Sequence, residues 1–105
     1  MVLIMIVNAN EIIEIIKCNS KFELGKIVIT PRVLETISFV ELINCIKRHS
    51  QCDWGIVCKE TAEINNAALY TFDDVLSVYT SSGKEIWIIT EPASGYTTVL
   101  FPEEY

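Results

Sequence analysis

Cys45, His49, Cys52 and Cys58 form a C-x3-H-x2-C-x5-C series, four sulfur and nitrogen donors within fourteen residues. Donors of these types bind zinc tetrahedrally, and Cys45 and His49 stand four apart on a predicted helix, one turn from each other on one face. The spacing departs from compact zinc modules, because it contains no C-x2-C knuckle. The expectation is therefore that these three cysteines and Cys18, the four of the chain, are reduced and metal-free. His49 is also the only histidine of the chain, and imidazole is the side chain best suited to general-base work at neutral pH. Asp53, Glu60 and Glu63 are the carboxylates that could orient it in a small hydrolase or nuclease. A simpler account exists: Lys47, Arg48 and His49 close a predicted helix, where cations suit the negative pole of its dipole. No nucleotide-binding loop, catalytic triad or DNA-binding helix pair is legible, so neither a catalytic residue nor a cofactor is expected.

A second group of residues with chemical content is the acids. Of the 105 residues, 14 are acidic and 8 basic. Met1 to Lys59 carries six acids and seven bases, whereas Glu60 to Tyr105 carries eight acids and a single base, Lys84. The net charge of −6 thus belongs to the C-terminal 46 residues. Such a charge argues against direct binding to nucleic acid or to an anionic membrane, which calls for excess lysine and arginine. It suits either a solvated surface or a face that meets a basic partner. Asp73, Asp74, Glu91, Glu103 and Glu104 are the acids expected to contribute to such a face, with Trp54 and Trp87 as candidate aromatic anchors.

These residues must be held by a small core. Hydrophobic residues make up 50% of the chain and charged ones 21%, which excludes a disordered tail and fits a single domain over residues 1–105. Met1 to Val7 is apolar but lacks a positive flank and is too short to span a bilayer, so a cytoplasmic location with reduced thiols is expected. Val2–Val7 reads as a buried strand or as the lead-in to a helix. Asn8 with Glu11 resembles a capping pair ahead of an Ala9, Ile12, Ile13, Ile16 stripe, predicting a helix over about 9–17. Lys26–Thr30 is a β-branched strand candidate, and Thr30-Pro31 is a helix start. Ser38 and Glu41 form a capping box for a helix to about Arg48, and a further helix is expected over about 59–69. The last third changes to strand composition: Val75–Thr80, Glu85–Thr90 and Thr97–Phe101, joined by turns at Ser81–Lys84 and Pro92–Tyr96. The expected fold is α+β, N-terminal helices packed on a C-terminal three-stranded antiparallel meander. Ile86, Ile88 and Thr90 fall on one face, Trp87 and Ile89 on the other. With both faces apolar, the second is expected to be covered by the N-terminal segment or by a second copy in a homodimer.

The segment from Phe22 to Tyr105 resembles a family of small uncharacterised proteins carried on bacterial plasmids and integrating elements. The residues that carry the resemblance are Phe22-Glu23-Leu24-Gly25-Lys26 with Thr30-Pro31, His49, Asp53-Trp54-Gly55, and Glu60 with Asn65/Asn66-Ala67-Ala68-Leu69. Leu76-Ser77, Tyr79-Thr80, Trp87-Ile88-Ile89-Thr90-Glu91 and the closing Thr97-Thr98-Val99-Leu100-Phe101-Pro102-Glu103-Glu104-Tyr105 complete it. Residues 1–21 look like an added extension to a 22–105 core. Where the family usually carries Asp-Arg after its Thr-Glu pair, this chain has Pro92-Ala93-Ser94-Gly95.

What the resemblance implies is a mobile-element accessory protein without enzymatic activity, of the anti-CRISPR or antirestriction kind. Its carboxylates would occupy the channel of a basic nucleic-acid-binding protein, such as a nuclease or its complex. The alternatives are a structural or interaction homodimer and a small hydrolase using His49.

Overall fold

A computed structural model describes residues 9–105. The Val2–Val7 run and the Asn8 cap lie outside the described residues. Helix α1 spans Ala9–Cys18 and buries Ile16, with Ile12 packed against the same core. Strand β1, Lys26–Ile29, leads directly into α2, Pro31–Thr36. Thr30 caps α2 by accepting the Val33 amide, and Pro31 occupies the first turn, where its missing N–H leaves nothing unpaired. Helix α3, Phe39–Ser50, starts at Ser38, whose hydroxyl accepts the Glu41 amide at 3.3 Å and lies 3.1 Å from the Glu41 carboxylate. Helix α4, Lys59–Thr71, ends on Phe72 in the left-handed conformation, with φ of 60°.

Strands β2 (Val75–Ser81), β3 (Lys84–Glu91) and β4 (Tyr96–Leu100) form the expected antiparallel meander, and a 3-10 turn at Pro102–Glu104 follows. The sheet is larger than the meander. β1 lies parallel to β4, Lys26 opposite Tyr96 and Ile29 opposite Val99, giving a mixed four-stranded sheet in the order β1-β4-β3-β2. This corrects the three-stranded antiparallel expectation. The grouping of helices ahead of the strands is corrected too, since β1 separates α1 from the other helices and the 3-10 turn closes the chain. The physical reason is the crossover: parallel neighbours cannot be joined by a tight turn, and here α2, α3, α4 and two strands intervene.

One face of the sheet carries the core. Tyr79, Ile86, Ile88, Val99 and Phe101 pack with Leu24, Val33, Leu42 and Ile46 in one cluster, and Trp54, Ala68 and Val75 form a smaller one beside it. Leu24, Ile46, Ile86 and Ile88 are buried, and each such side chain contributes about 1.5–3 kcal/mol relative to exposure. On the opposite face, Leu76, Trp87 and Ile89 are half-buried and join neither cluster.

The outer edge of β2 is closed by backbone and amide partners. Asn65 on α4 donates to the Leu76 carbonyl at 2.7 Å and accepts the Leu76 amide at 3.1 Å. The Val78 amide donates to the Trp54 carbonyl, and the Ile56 amide donates to the Val78 carbonyl. Gly55 makes this approach feasible, because a Cβ there would lie 1.9 Å from the Val78 oxygen.

Candidate functional site: an acidic cleft at one end of the sheet

In a three-stranded meander, the start of the first strand, the end of the second and the start of the third share one end. Asp73 and Asp74 precede β2, Glu91 ends β3, and Tyr96 begins β4, so these residues meet there. Asp74 and Glu91 lie one residue beyond the paired Val75 and Thr90. Around this end runs a cleft of about 340 Å³, bounded by the Lys21–Gly25 segment, the C-terminal end of α4 and the β3–β4 turn. Ala68, Leu69, Val75 and Thr90 line it, Phe72 and Tyr96 contribute aromatic rings, and Lys21, Glu23, Asp73 and Glu91 supply charge.

Local geometry fixes each wall. The Asp73 carboxylate accepts the Thr71 hydroxyl at 2.7 Å, and its amide donates to the Ala68 carbonyl. The Glu91 carbonyl accepts the amides of Ser94 and Gly95, which sets the β3–β4 turn. Gly25, with φ of +64°, lets the incoming segment lie against that turn: a Cβ there would stand 2.3 Å from the Gly95 oxygen.

None of the other expected partner-binding residues lines the cleft. Glu103 and Glu104 follow β4 and sit at the opposite end of the sheet. Glu104 accepts the Thr30 hydroxyl and the Phe101 amide, both at 2.9 Å, so it ties the C-terminal turn to the start of α2. Glu103 is 3.4 Å from Arg32 in an exposed ion pair. Trp54 is buried at 5% exposure and donates its indole N–H to Asn66 at 3.0 Å. Trp87 is half-buried on the back face, stacked at a tilt on Tyr105 with ring centres 5.7 Å apart. The structure thus places Asp73, Asp74 and Glu91 at one end of the sheet and Glu103 and Glu104 at the other, puts Trp87 on the back face, and buries Trp54 behind the cleft wall against Phe22, Ala68 and Val75.

Behind the cleft runs a buried polar chain centred on His49, which has no exposed surface. Thr97 Oγ1 donates to the Leu24 carbonyl at 2.5 Å, so at its 2.8 Å contact with Thr90 it accepts. Thr90, its proton committed, accepts from His49 Nε2 at 2.8 Å, and His49 Nδ1 accepts from the Ser77 hydroxyl at 2.5 Å. The donor sequence therefore selects the neutral Nε2–H tautomer and occupies both ring nitrogens. Phe22 and Trp54 meet the imidazole edge to face, at 5.3 and 5.7 Å. Burial pulls the His49 pKa from 6.5 to about 3, since the low-dielectric site disfavours the imidazolium.

Asp53 is not part of this chain. It pairs with Arg48 at 2.6 Å, and that hydrogen bond lowers its pKa. The Arg48 guanidinium also lies over the Tyr79 ring, 4.6 Å from its centre. Cys45 is buried, Cys52 half-buried and Cys58 exposed, and none is in a disulfide. Burial raises the pKa of Cys45 and of Cys52, whereas the Thr61 hydroxyl lowers that of Cys58 at the start of α4. Among the described residues, no group of three histidine, cysteine or acidic side chains is placed to hold a metal ion, and no helix is long and apolar enough to cross a membrane.

No family model matches the chain, and no curated protein and no solved structure matches it. Glu23, Phe72 and Tyr96 are cleft residues that the sequence reading did not single out. Their signal was positional: Phe72 adjoins Asp73, Tyr96 opens β4 opposite Glu91, and Glu23 leads into the strand that pairs with Tyr96.

Proposed function

We propose that this chain is a non-enzymatic binding protein whose acidic sheet end occupies a basic groove on a nucleic-acid-processing defence protein, in the manner of an anti-CRISPR or antirestriction inhibitor. The observation that carries this reading is that Asp73 and Glu91 line one cleft and Asp74 lies at the same end of the sheet, beside Val75, none of the three in an ion pair among the described residues. Uncompensated carboxylates on one surface speed encounter with a cationic groove and exclude anionic competitors. The setting of His49 supports a non-catalytic role, because an imidazole with both nitrogens hydrogen-bonded and no solvent contact has no lone pair for a substrate proton. The test is a plasmid-interference assay in bacteria that carry either a restriction system or an RNA-guided nuclease. Expression of the chain should restore plasmid establishment at least about tenfold in one of them. The folded Asp73→Asn/Asp74→Asn/Glu91→Gln variant should lose that rescue. Absence of rescue in both systems, or undiminished rescue by the triple variant, overturns the reading.

A further inference from the structure

We infer that the cleft receives a single basic side chain, an arginine in preference to a lysine, presented by an exposed loop of the partner. This rests on the proposed role of the acidic end for the partner's character, and on the cleft itself for the chemistry. A volume of about 340 Å³ is at the small end of the range for ligand pockets, roughly 300–1,000 Å³, which suits a side chain and its stem better than a whole domain element. Three acidic residues, Glu23, Asp73 and Glu91, line it against one basic residue, Lys21, so the cleft favours positive charge.

The distribution of those carboxylates decides the kind of cation. They come from three separate chain segments, and among the described residues no three acidic groups lie close enough to ligate a metal ion. Carboxylates spread around a rim with an apolar floor fit an extended amphipathic cation, whose methylene stem covers the floor while its head reaches the rim. Phe72 and Tyr96 make the further distinction. Both line the cleft and are 77% and 43% exposed, so their rings are accessible to an incoming group. A planar guanidinium stacks on such faces and still directs its fork of N–H donors to carboxylates, which a compact ammonium does less well. The left-handed end of α4 fixes the backbone of Phe72, and its ring is exposed at the cleft.

The test is an NMR titration of the isotope-labelled full chain with three capped tripeptides, acetyl-Gly-X-Gly amide, where X is arginine, lysine or the uncharged isostere citrulline. Saturable shifts are expected at the amides of Gly25, Phe72, Asp73, Gly95 and Tyr96, strongest for arginine, weaker for lysine and absent for citrulline. Phe72→Gly should weaken arginine about threefold, in line with loss of one exposed cation–π contact, and erase its advantage over lysine. Glycine tolerates the left-handed cap, so this variant keeps the fold. Equal shifts from citrulline, or shifts elsewhere on the surface, overturn the inference. The two proposals fail separately: arginine binding in the cleft without plasmid rescue refutes the defence role alone. Rescue that survives Phe72→Gly, with no peptide shifts, refutes the cleft alone.

Discussion

Acidification from pH 7.5 to 4.5 should destabilise this protein through one side chain. In the folded state His49 has a pKa of about 3, lowered from 6.5 by burial. Between those two values the unfolded chain binds a proton that the native state does not, so stability falls as pH falls and is fully retained above about 6.5. The loss is about 1.4 kcal/mol per pH unit within that window: roughly 2 kcal/mol at pH 5, and about 4 kcal/mol by pH 3, where the native imidazole begins to bind its own proton. Glu41 and Asp53 also have lowered pKa values, but from 4.5 and 3.8, so their share is lost at more acid pH and leaves the 6.5–4.5 window to His49. Urea unfolding at half-unit pH steps measures the slope. Because the chain has one histidine, its Cε1 proton resonance reports the native titration without ambiguity and should stay flat from pH 8 to 4.5. His49→Gln should flatten the slope in that window while costing about 2–4 kcal/mol at pH 7, as Ser77 and Thr90 lose their shared partner. A histidine resonance with a midpoint near 6, or wild-type stability independent of pH above 4.5, would refute the buried donor chain.

Two further predictions concern backbone and thiols. Gly55→Ala, with φ of +77° and a Cβ that would stand 1.9 Å from the Val78 oxygen, should cost at least about 1–3 kcal/mol by urea denaturation and release the amides of Ile56 and Val78 to hydrogen exchange. At pH 7.5, iodoacetamide followed by peptide mapping should modify Cys58 ahead of Cys52, with Cys45 protected until the chain unfolds, since the lowered pKa and exposure of Cys58 favour the reactive thiolate.

Elements specified by short-range chemistry were legible in the chain. Thr30-Pro31 and Ser38 mark helix starts because capping involves atoms three or four residues apart, and the Ser82–Gly83 turn with flanking alternation defines the β2–β3 hairpin. The pairing of β1 with β4 was not, although Lys26–Thr30 read as a strand, because the partners are about 70 residues apart and no local signal encodes such a contact. His49 illustrates a different blind spot. Its place at the end of α3 invited a dipole explanation, and the lysine and arginine beside it are indeed exposed. The polar residues at inward strand positions, Ser77, Thr90 and Thr97, were the missed clue: hydroxyls in a core require partners, and the chain has one imidazole to offer. The acids were recognised by charge alone, which carries no direction. Applying the antiparallel order of the strands would have separated Asp73, Asp74 and Glu91 from Glu103 and Glu104.

The sealed edge of β2 bears on how copies of this protein could add to one another. Fibrous assembly by strand addition needs two reactive margins per subunit, as a linear polymer needs bifunctional monomers. Here Asn65, Trp54 and Ile56 consume the outward N–H and C=O groups of Leu76 and Val78, so one margin is chemically spent. Among the described residues, that leaves the margin of β1 as the longer one for strand addition, so edge-to-edge association through it favours a pair over a fibre.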